Sequence, residues 1–401
     1  MKKSDLSTTA LLAPSLVPCL ALLLLASPAN ADEFHSCLNG LRGAASAKGV
    51  SGGTFDAATA NLQPDMKVLE YLDFQPEFKT PVWDYLAALV DDERVADGKA
   101  AMSKHAAALE SAQSRFGVDK YVIAGVWGVE SNFGQSMGKR SLVQSLGTLS
   151  CYGRRQAYFR TEFVSVLQIL EHGDIAPEHL NGSWAGAFGQ TQFMPSTFLR
   201  MAVDGDGDGA RDIVDSVPDA VASTANYLAK SGWQTGLPWG MEVNLPKGYA
   251  GGSGRGNKRS FSDWAAAGFT AVSGKGFPSG SAGLLLPAGR EGPAFLVTKN
   301  FDAIYAYNAS ESYALAIAHL GDRMKGGGVF AHGWPIEDEP LSRAQRREVQ
   351  ALLNKNGYNV GEPDGAIGTK SREAIADFQK KHGLNPNGQA MLSVLEALRG
   401  K

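Results

Sequence analysis

Gly125-Val126-Trp127-Gly128-Val129-Glu130-Ser131-Asn132-Phe133-Gly134 is the stretch on which the fold turns. Asp119, a little upstream, is a helix N-cap residue type, because its short carboxylate can accept a backbone N–H of the first turn. Beyond it, Ile123, Val126, Trp127 and Glu130 fall on one helical face at i, i+3, i+4 and i+7. The spacing predicts a helix over Asp119–Phe133 whose C-terminal end carries Glu130 on its apolar side. Desolvation and the negative end of the helix dipole both disfavour a charged carboxylate there. A carboxyl group that stays protonated near neutral pH is what a general acid requires. The plainer use of such a residue, a Glu paired with a buried Arg or Lys, is commoner, and spacing by itself leaves both open.

Helical periodicity continues around this segment, near Asp97 to Phe116, Phe159 to Leu170, Ser196 to Val203 and Asp219 to Lys230. Between about Gly232 and Asn300 the texture changes to short β-like runs such as Phe295-Leu296-Val297, broken by Gly, Pro and Ser, which predicts a small β-rich insertion. A helix over Glu311–Met324 returns to the helical body. The stretch from Gly326 to Pro340 is rich in Gly, Pro and acid and places a linker at 328–340. From Leu341 onward a separate compact unit carries two amphipathic helices, Arg343–Asn354 and Ser371–His382, around a turn-rich stretch, with a net charge of +4.

The whole chain has 401 residues, 44% of them hydrophobic and 20% charged, with a net charge of −3. That length allows more than one domain and a sizeable core. The slight acidic balance excludes the basic excess of a nucleic-acid binder. Lys2 and Lys3, an apolar run from about Leu11 to Ala26, and the small-x-small end Ala29-Asn30-Ala31 predict a cleaved signal peptide over 1–31. Pro14, Pro18 and the shortness of the run argue against a membrane-spanning helix. Export points to the periplasm, where disulfides persist. After Cys19 leaves with the signal, Cys37 and Cys151 remain; an even pair favours a disulfide, two separate buried thiols being the other reading.

Two further constellations carry chemistry. Ser183-Trp184-Ala185-Gly186-Ala187-Phe188-Gly189-Gln190-Thr191-Gln192-Phe193-Met194-Pro195 alternates small residues with amides and aromatics, which suits sugar faces and N-acetyl groups, although an ordinary tight loop reads the same way. Asp204-Gly205-Asp206-Gly207-Asp208-Gly209-Ala210-Arg211-Asp212-Ile213-Val214-Asp215 has Asp at loop positions one, three and five, Gly at six and a carboxylate at twelve, the pattern of a calcium loop. Arg211 at position eight and Asp215 in place of a longer Glu depart from that pattern. Such an ion would be structural, since one cation satisfies its ligands. No organic cofactor is expected. Tyr305-Ala306-Tyr307-Asn308-Ala309-Ser310 and Tyr313 lead into the last helix, where clustered Tyr and Asn can line a carbohydrate groove or simply fill a core.

Together and in this order, the Glu-Ser-x-x-Gly helix end, the Ala-Gly-Ala-x-Gly-x-x-Gln-Phe-Met-Pro loop, the acidic loop, Ala225-Asn226-Tyr227 and the Tyr-Asn-x-Ser segment resemble the B-type lytic murein transglycosylase family over nearly all of Glu33–Gly327. Val349-Gln350, Asn356-Gly357-Tyr358, Asp364-Gly365, Phe378-Gln379, Gly383-Leu384 and Asn387-Gly388 resemble the small three-helix peptidoglycan-binding module, though the Thr usual near its last helix is absent after Gly388. The resemblance implies a mainly α protein: a lysozyme-like catalytic domain over 32–327 with a small β-rich insertion, and a peptidoglycan-binding domain over 341–399. Carried over by position, it makes Glu130 the acid–base. Ser183, Gln192, Tyr227, Tyr307, Asn308 and Tyr313 become groove residues. Asp204, Asp206, Asp208 and the carbonyl of Ala210 become calcium ligands, closed by either Asp215 or Asp219. The implied activity is cleavage of the β-1,4 bond between N-acetylmuramic acid and N-acetylglucosamine with 1,6-anhydro ends. A lysozyme-like hydrolase and a non-catalytic wall-binding protein are the rivals. Peptidoglycan is the expected partner, with wall-synthesis or divisome proteins as further candidates.

Overall fold

The computed structural model describes residues 28–72 and 80–400. The signal-peptide reading therefore lies outside the described residues, apart from the start of the first helix. In chain order the described residues form α1 (Pro28–Asn39), α2 (Arg42–Ser46), α3 (Gly52–Thr59), a 3-10 helix (Met66–Tyr71), α4 (Val82–Leu89), α5 (Asp92–Lys104) and α6 (Ala106–Phe116). Then come α7 (Lys120–Ser131), β1 (Arg140–Ser141), α8 (Leu142–Cys151), α9 (Gln156–His172), β2 (Asn181–Gly182), α10 (Pro195–Met201) and α11 (Val217–Lys230). The insertion holds β3 (Gly240–Asn244), β4 (Arg259–Ser260), α12 (Phe261–Ala266), β5 (Thr270–Ala271), β6 (Ser281–Leu285) and β7 (Ala294–Val297). Its antiparallel sheet runs in the order β4-β6-β7-β3-β5. α13 (Lys299–Asn308) and α14 (Glu311–Met324) return to the helical body, and α15 (Arg343–Lys355), α16 (Thr369–Lys381) and α17 (Leu392–Arg399) build the C-terminal unit. The chain is mainly helical with small sheets, the class expected from its sequence.

Four hydrophobic clusters hold these elements. One gathers α4 to α7, α11 and α14 around Trp127, Leu315 and Ile317. A second gathers α1, α8, α9 and α10 around Phe34, Phe163, Phe188 and Phe198. The insertion has its own core on Phe261, Trp264 and Phe269, and the C-terminal unit another on Val349, Ile375 and Leu395. Cys37 and Cys151 are joined in a disulfide that ties α1 to α8.

The predicted helix from Asp97 to Phe116 is two helices. His105 leaves helical dihedrals (φ −114°, ψ 30°) between α5 and α6, and its ring meets Trp127 edge-on at 5.6 Å. Tertiary packing thus overrides a continuous periodicity: the break lets both halves face the first core.

α7 begins as read, with the Asp119 carboxylate accepting Tyr121 N–H at 2.9 Å. It runs antiparallel to α14 at very close range. A Cβ on Gly125 would lie 2.6 Å from the Ile317 carbonyl oxygen, and one on Gly321 would lie 2.9 Å from the Tyr121 carbonyl oxygen. Bare backbone at these two positions fixes the register 121 to 321 and 125 to 317. One turn further along, the end of α7 meets the start of α14.

The C-terminal unit is docked on the larger helical body rather than tethered loosely. Arg343 bonds Asp97 at 2.8 Å, its backbone N–H donates to Asp91 at 2.8 Å, and Arg347 bonds Glu93 at 2.6 Å.

Candidate active site

Glu130 ends up half-buried on the last turn of α7, opposite Tyr313 on the first turn of α14. The Tyr313 hydroxyl donates to Glu130 Oε1. Burial, and then the neighbouring charge of Glu130, push the Tyr313 phenol well above its ordinary range. It therefore stays a neutral donor at any physiological pH. Tyr307 stacks near Tyr313 at 6.2 Å, and Tyr227 lies 4.7 Å from Tyr307. Part of the Tyr307 ring is accessible while its hydroxyl turns inward to the carbonyl of the fully buried Thr191 at 2.7 Å. Tyr227 donates to the Ala306 carbonyl at 2.7 Å. Tyr227 and Tyr307 are the tyrosines packed against both large cores. Glu130 thus sits at the seam between two lobes, the ordinary location of a ligand groove.

The loop from Ser183 to Pro195 lines the second side of that seam. Gln192 takes a left-handed backbone conformation (φ 50°), and its amide nitrogen donates to the carbonyls of Met137 (3.1 Å) and Gly189 (2.8 Å). Ser183 turns its hydroxyl to its own loop, accepting Ala187 N–H at 3.0 Å. Asn308 is exposed at the C-terminal end of α13. Glu130, Tyr313, Tyr307 and Tyr227 are therefore in direct succession, with Gln192 beside them through Thr191. Ser183 and Asn308 lie on the flanking segments.

Several contributors were not legible in the sequence. Ser131, next to Glu130, donates to the Gln190 carbonyl at 2.5 Å and accepts Gly134 N–H at 2.9 Å, locking the loop to the end of α7. Gln190 in turn bonds the carbonyls of Ile213 and Val214 at 2.9 and 3.0 Å, so the loop is tied to the acidic segment behind it. The buried Glu162 accepts both Ser196 N–H and Ser196 hydroxyl, at 2.9 and 2.8 Å, and so caps α10. The negative end of the α7 dipole is also met by cations. Arg94 donates to the Gly128 carbonyl at 2.8 Å and Arg343 to Asn132 Oδ1 at 2.9 Å. The dipole repulsion expected at Glu130 from the sequence is thereby offset, and Tyr313 and the apolar seam dominate its surroundings.

In the acidic loop, Asp204, Asp206 and Asp208 bring carboxylate oxygens within 4.8 Å of one another. Asp219 is fully buried behind them and accepts Gly205 N–H at 2.8 Å and Asp212 N–H at 2.6 Å. Burial raises its pKa, and the charges of Asp206 and Asp204 add to the rise. Asp215 is exposed and pairs with His179. Ala210 donates its N–H to Asp208 at 2.8 Å. An all-oxygen set of crowded carboxylates fits a hard divalent cation.

Over residues 33–322 the sequence matches the family described as transglycosylase SLT domain, and over 342–398 the family described as peptidoglycan binding domain. Membrane-bound lytic murein transglycosylase B of Escherichia coli (strain K12) is 35% identical over 243 residues, 59% of this chain and 65% of that protein. The match thus spans a little under two thirds of that relative's length. SltB3 of Pseudomonas aeruginosa, solved in complex with NAG-anhNAM-pentapeptide, has a TM-score of 0.73 at 45% identity, covering 91% of this chain and 99% of that one. The Escherichia coli lytic transglycosylase SLT35, solved in complex with calcium, has a TM-score of 0.63 at 30% identity, covering 73% and 92%.

Proposed function

The chain belongs to the transglycosylase SLT family, and from that premise we propose that it cuts the β-1,4 bond between N-acetylmuramic acid and N-acetylglucosamine with Glu130 as both acid and base. Its C-terminal unit is a peptidoglycan-binding module. The observation that carries the reading is Glu130 set against the neutral donor Tyr313 at the seam between the two lobes.

Protonated Glu130 gives its proton to the bridging oxygen as the bond to muramoyl C1 breaks, and N-acetylglucosamine departs as an alcohol. The substrate's own N-acetyl group stabilises the electron-poor C1. Glu130, now a carboxylate steadied by the Tyr313 hydroxyl, removes the proton of the muramoyl 6-hydroxyl. That oxygen bonds C1, closes a 1,6-anhydro ring and leaves Glu130 protonated again. An internal nucleophile has the proximity advantage over water. Retaining glycosidases use a second carboxylate about 5–5.5 Å from the first; in this chain Tyr313 meets the first, with Tyr307 and Tyr227 stacked in turn behind it, and the buried Glu162 is engaged with Ser196. Gln192, Ser183 and Asn308 hold the sugars along the groove.

Replacing Glu130 by Gln tests this. Cleavage of purified sacculi should fall by about 10³-fold or more, the scale of general acid–base catalysis. Mass spectrometry of wild-type digests should show anhydro ends. Products one water heavier would convert the reading to hydrolysis, and unchanged turnover in the variant would remove Glu130.

The acidic loop is proposed to bind calcium through Asp204, Asp206, Asp208 and the Ala210 carbonyl. Asp219, rather than Asp215, supports the closing position, because it lies behind the loop while Asp215 pairs with His179. The ion takes no part in the chemistry; it relieves carboxylate repulsion in a segment bonded to Gln190. Export to the periplasm through residues 1–31 completes the proposal. Among the described residues no helix is long and apolar enough to cross a membrane.

A further inference from the structure

Tyr71 and Trp184 make a second aromatic surface, outside the tyrosine cluster. Their ring centroids are 5.9 Å apart with planes inclined by 29°. Trp184 rests on the second core, while Tyr71 stands 37% exposed at the end of its 3-10 helix. Met66, at the start of the same short helix, is 48% exposed. An exposed Tyr stacked on a Trp at the surface offers flat apolar area to a ligand with an apolar face.

The surface is held in place. Arg140 lies 5.5 Å from the Tyr71 ring centre and is ion-paired to Asp65, whose backbone N–H bonds Thr148 Oγ1 at 2.9 Å. Asp65 neutralises Arg140, the cation that lies against the Tyr71 ring, so the rings carry no unpaired charge at that contact. The chain also links the platform to the cutting site. The turn after Glu130 leads into β1, where Arg140 pairs with Gly182 and Ser141 with Asn181. Trp184 follows directly on that ribbon, in the loop that carries Gln192.

We propose that the Tyr71–Trp184 platform is a saccharide subsite, which takes a neutral N-acetylated sugar of the glycan strand outside the bond being cut. This rests on the reading of Glu130 as the cutting residue. A polymer must run past its cleavage point, and the C–H face of a pyranose matches an aromatic plane that offers apolar area without charge. A remote sugar held equally in ground and transition states lowers KM for long strands and leaves the chemical step alone.

The test uses the full chain carrying Glu130→Gln, which holds glycan without cutting it, and peptide-free glycan oligomers of two lengths, a tetrasaccharide and an octasaccharide, in calorimetric titrations. The octasaccharide should bind the tighter. Adding Trp184→Ala should cut that length preference by roughly 5- to 10-fold, the worth of one aromatic contact. Trp184→Phe should restore most of it, and Tyr71→Ala, at the exposed rim, should repeat the loss without disturbing the core. An undiminished length preference in both alanine variants would overturn the platform and leave the proposed function standing. Failure of the Glu130→Gln protein to bind either oligomer would overturn both.

Discussion

Adding one methyl group at Gly125 puts the closeness of α7 and α14 to a direct test. The new Cβ would lie 2.6 Å from the Ile317 carbonyl oxygen, which is backbone and has no rotamer to escape into. Ordinary contact begins near 3.4 Å, so the helices must part by roughly 0.8 Å. Overpacking of this kind costs about 1–3 kcal/mol. The better helix propensity of Ala returns about 0.5–1 kcal/mol. A net loss of about 1–2 kcal/mol should lower Tm by roughly 2–4 °C in a domain of this size. The larger effect should be on rate, because the same crossing sets Glu130 against Tyr313. A misplacement approaching 1 Å costs about 10²-fold. Thermal melting and release of soluble fragments from sacculi measure the two quantities. Gly43→Ala is the control: it sits in α2 with nothing within 4 Å of its Cβ, so it should melt no lower than wild type and cut at the same rate. If Gly125→Ala melts and turns over as wild type does, the register argument is wrong.

Burial holds the His319 imidazole down at about 3, against 6.5 in the unfolded chain. The unfolded state alone takes up a proton between those values, so this contribution to stability is intact above about pH 6.5 and is lost as pH falls towards 3. From pH 7 to pH 5 the loss should be about 2 kcal/mol; denaturant melts of His319→Phe, which keeps a ring against Phe330, should show a correspondingly shallower decline, and an unchanged slope would contradict the assignment. Chelation should lower Tm, by an amount equivalent to about 2.7 kcal/mol if free calcium had been held at a hundredfold excess over Kd. Equal melting curves with and without chelator would remove the ion from the acidic loop. Arg343→Ala breaks charged hydrogen bonds to Asp97 and Asn132. It should weaken module docking by about 2–3 kcal/mol, visible as faster proteolysis within 328–340, and unaltered cleavage there would show that docking does not depend on it.

The sequence by itself determined the local pieces. Asp119 as a cap, the apolar face through Ile123 and Trp127, the β-like texture from Gly232 to Asn300 and the spacing of Asp204, Asp206 and Asp208 are all short-range patterns, and each reappears as an element or cluster. Period and capping depend on neighbours a few residues away, so they are written in the chain. What tertiary structure decided was which pieces meet. His105 broke a helix that periodicity ran straight through, because both halves had to reach the same core. Asp215 turned to His179 while Asp219 was buried behind the loop, a difference in placement that spacing does not carry. Arg94 and Arg343, distant in sequence, came to the end of α7 and offset the dipole effect expected there. Tyr313 reaches Glu130 across most of the catalytic unit because two glycines let their helices touch, and a contact of that kind is set by the packing of whole faces, which no local pattern encodes.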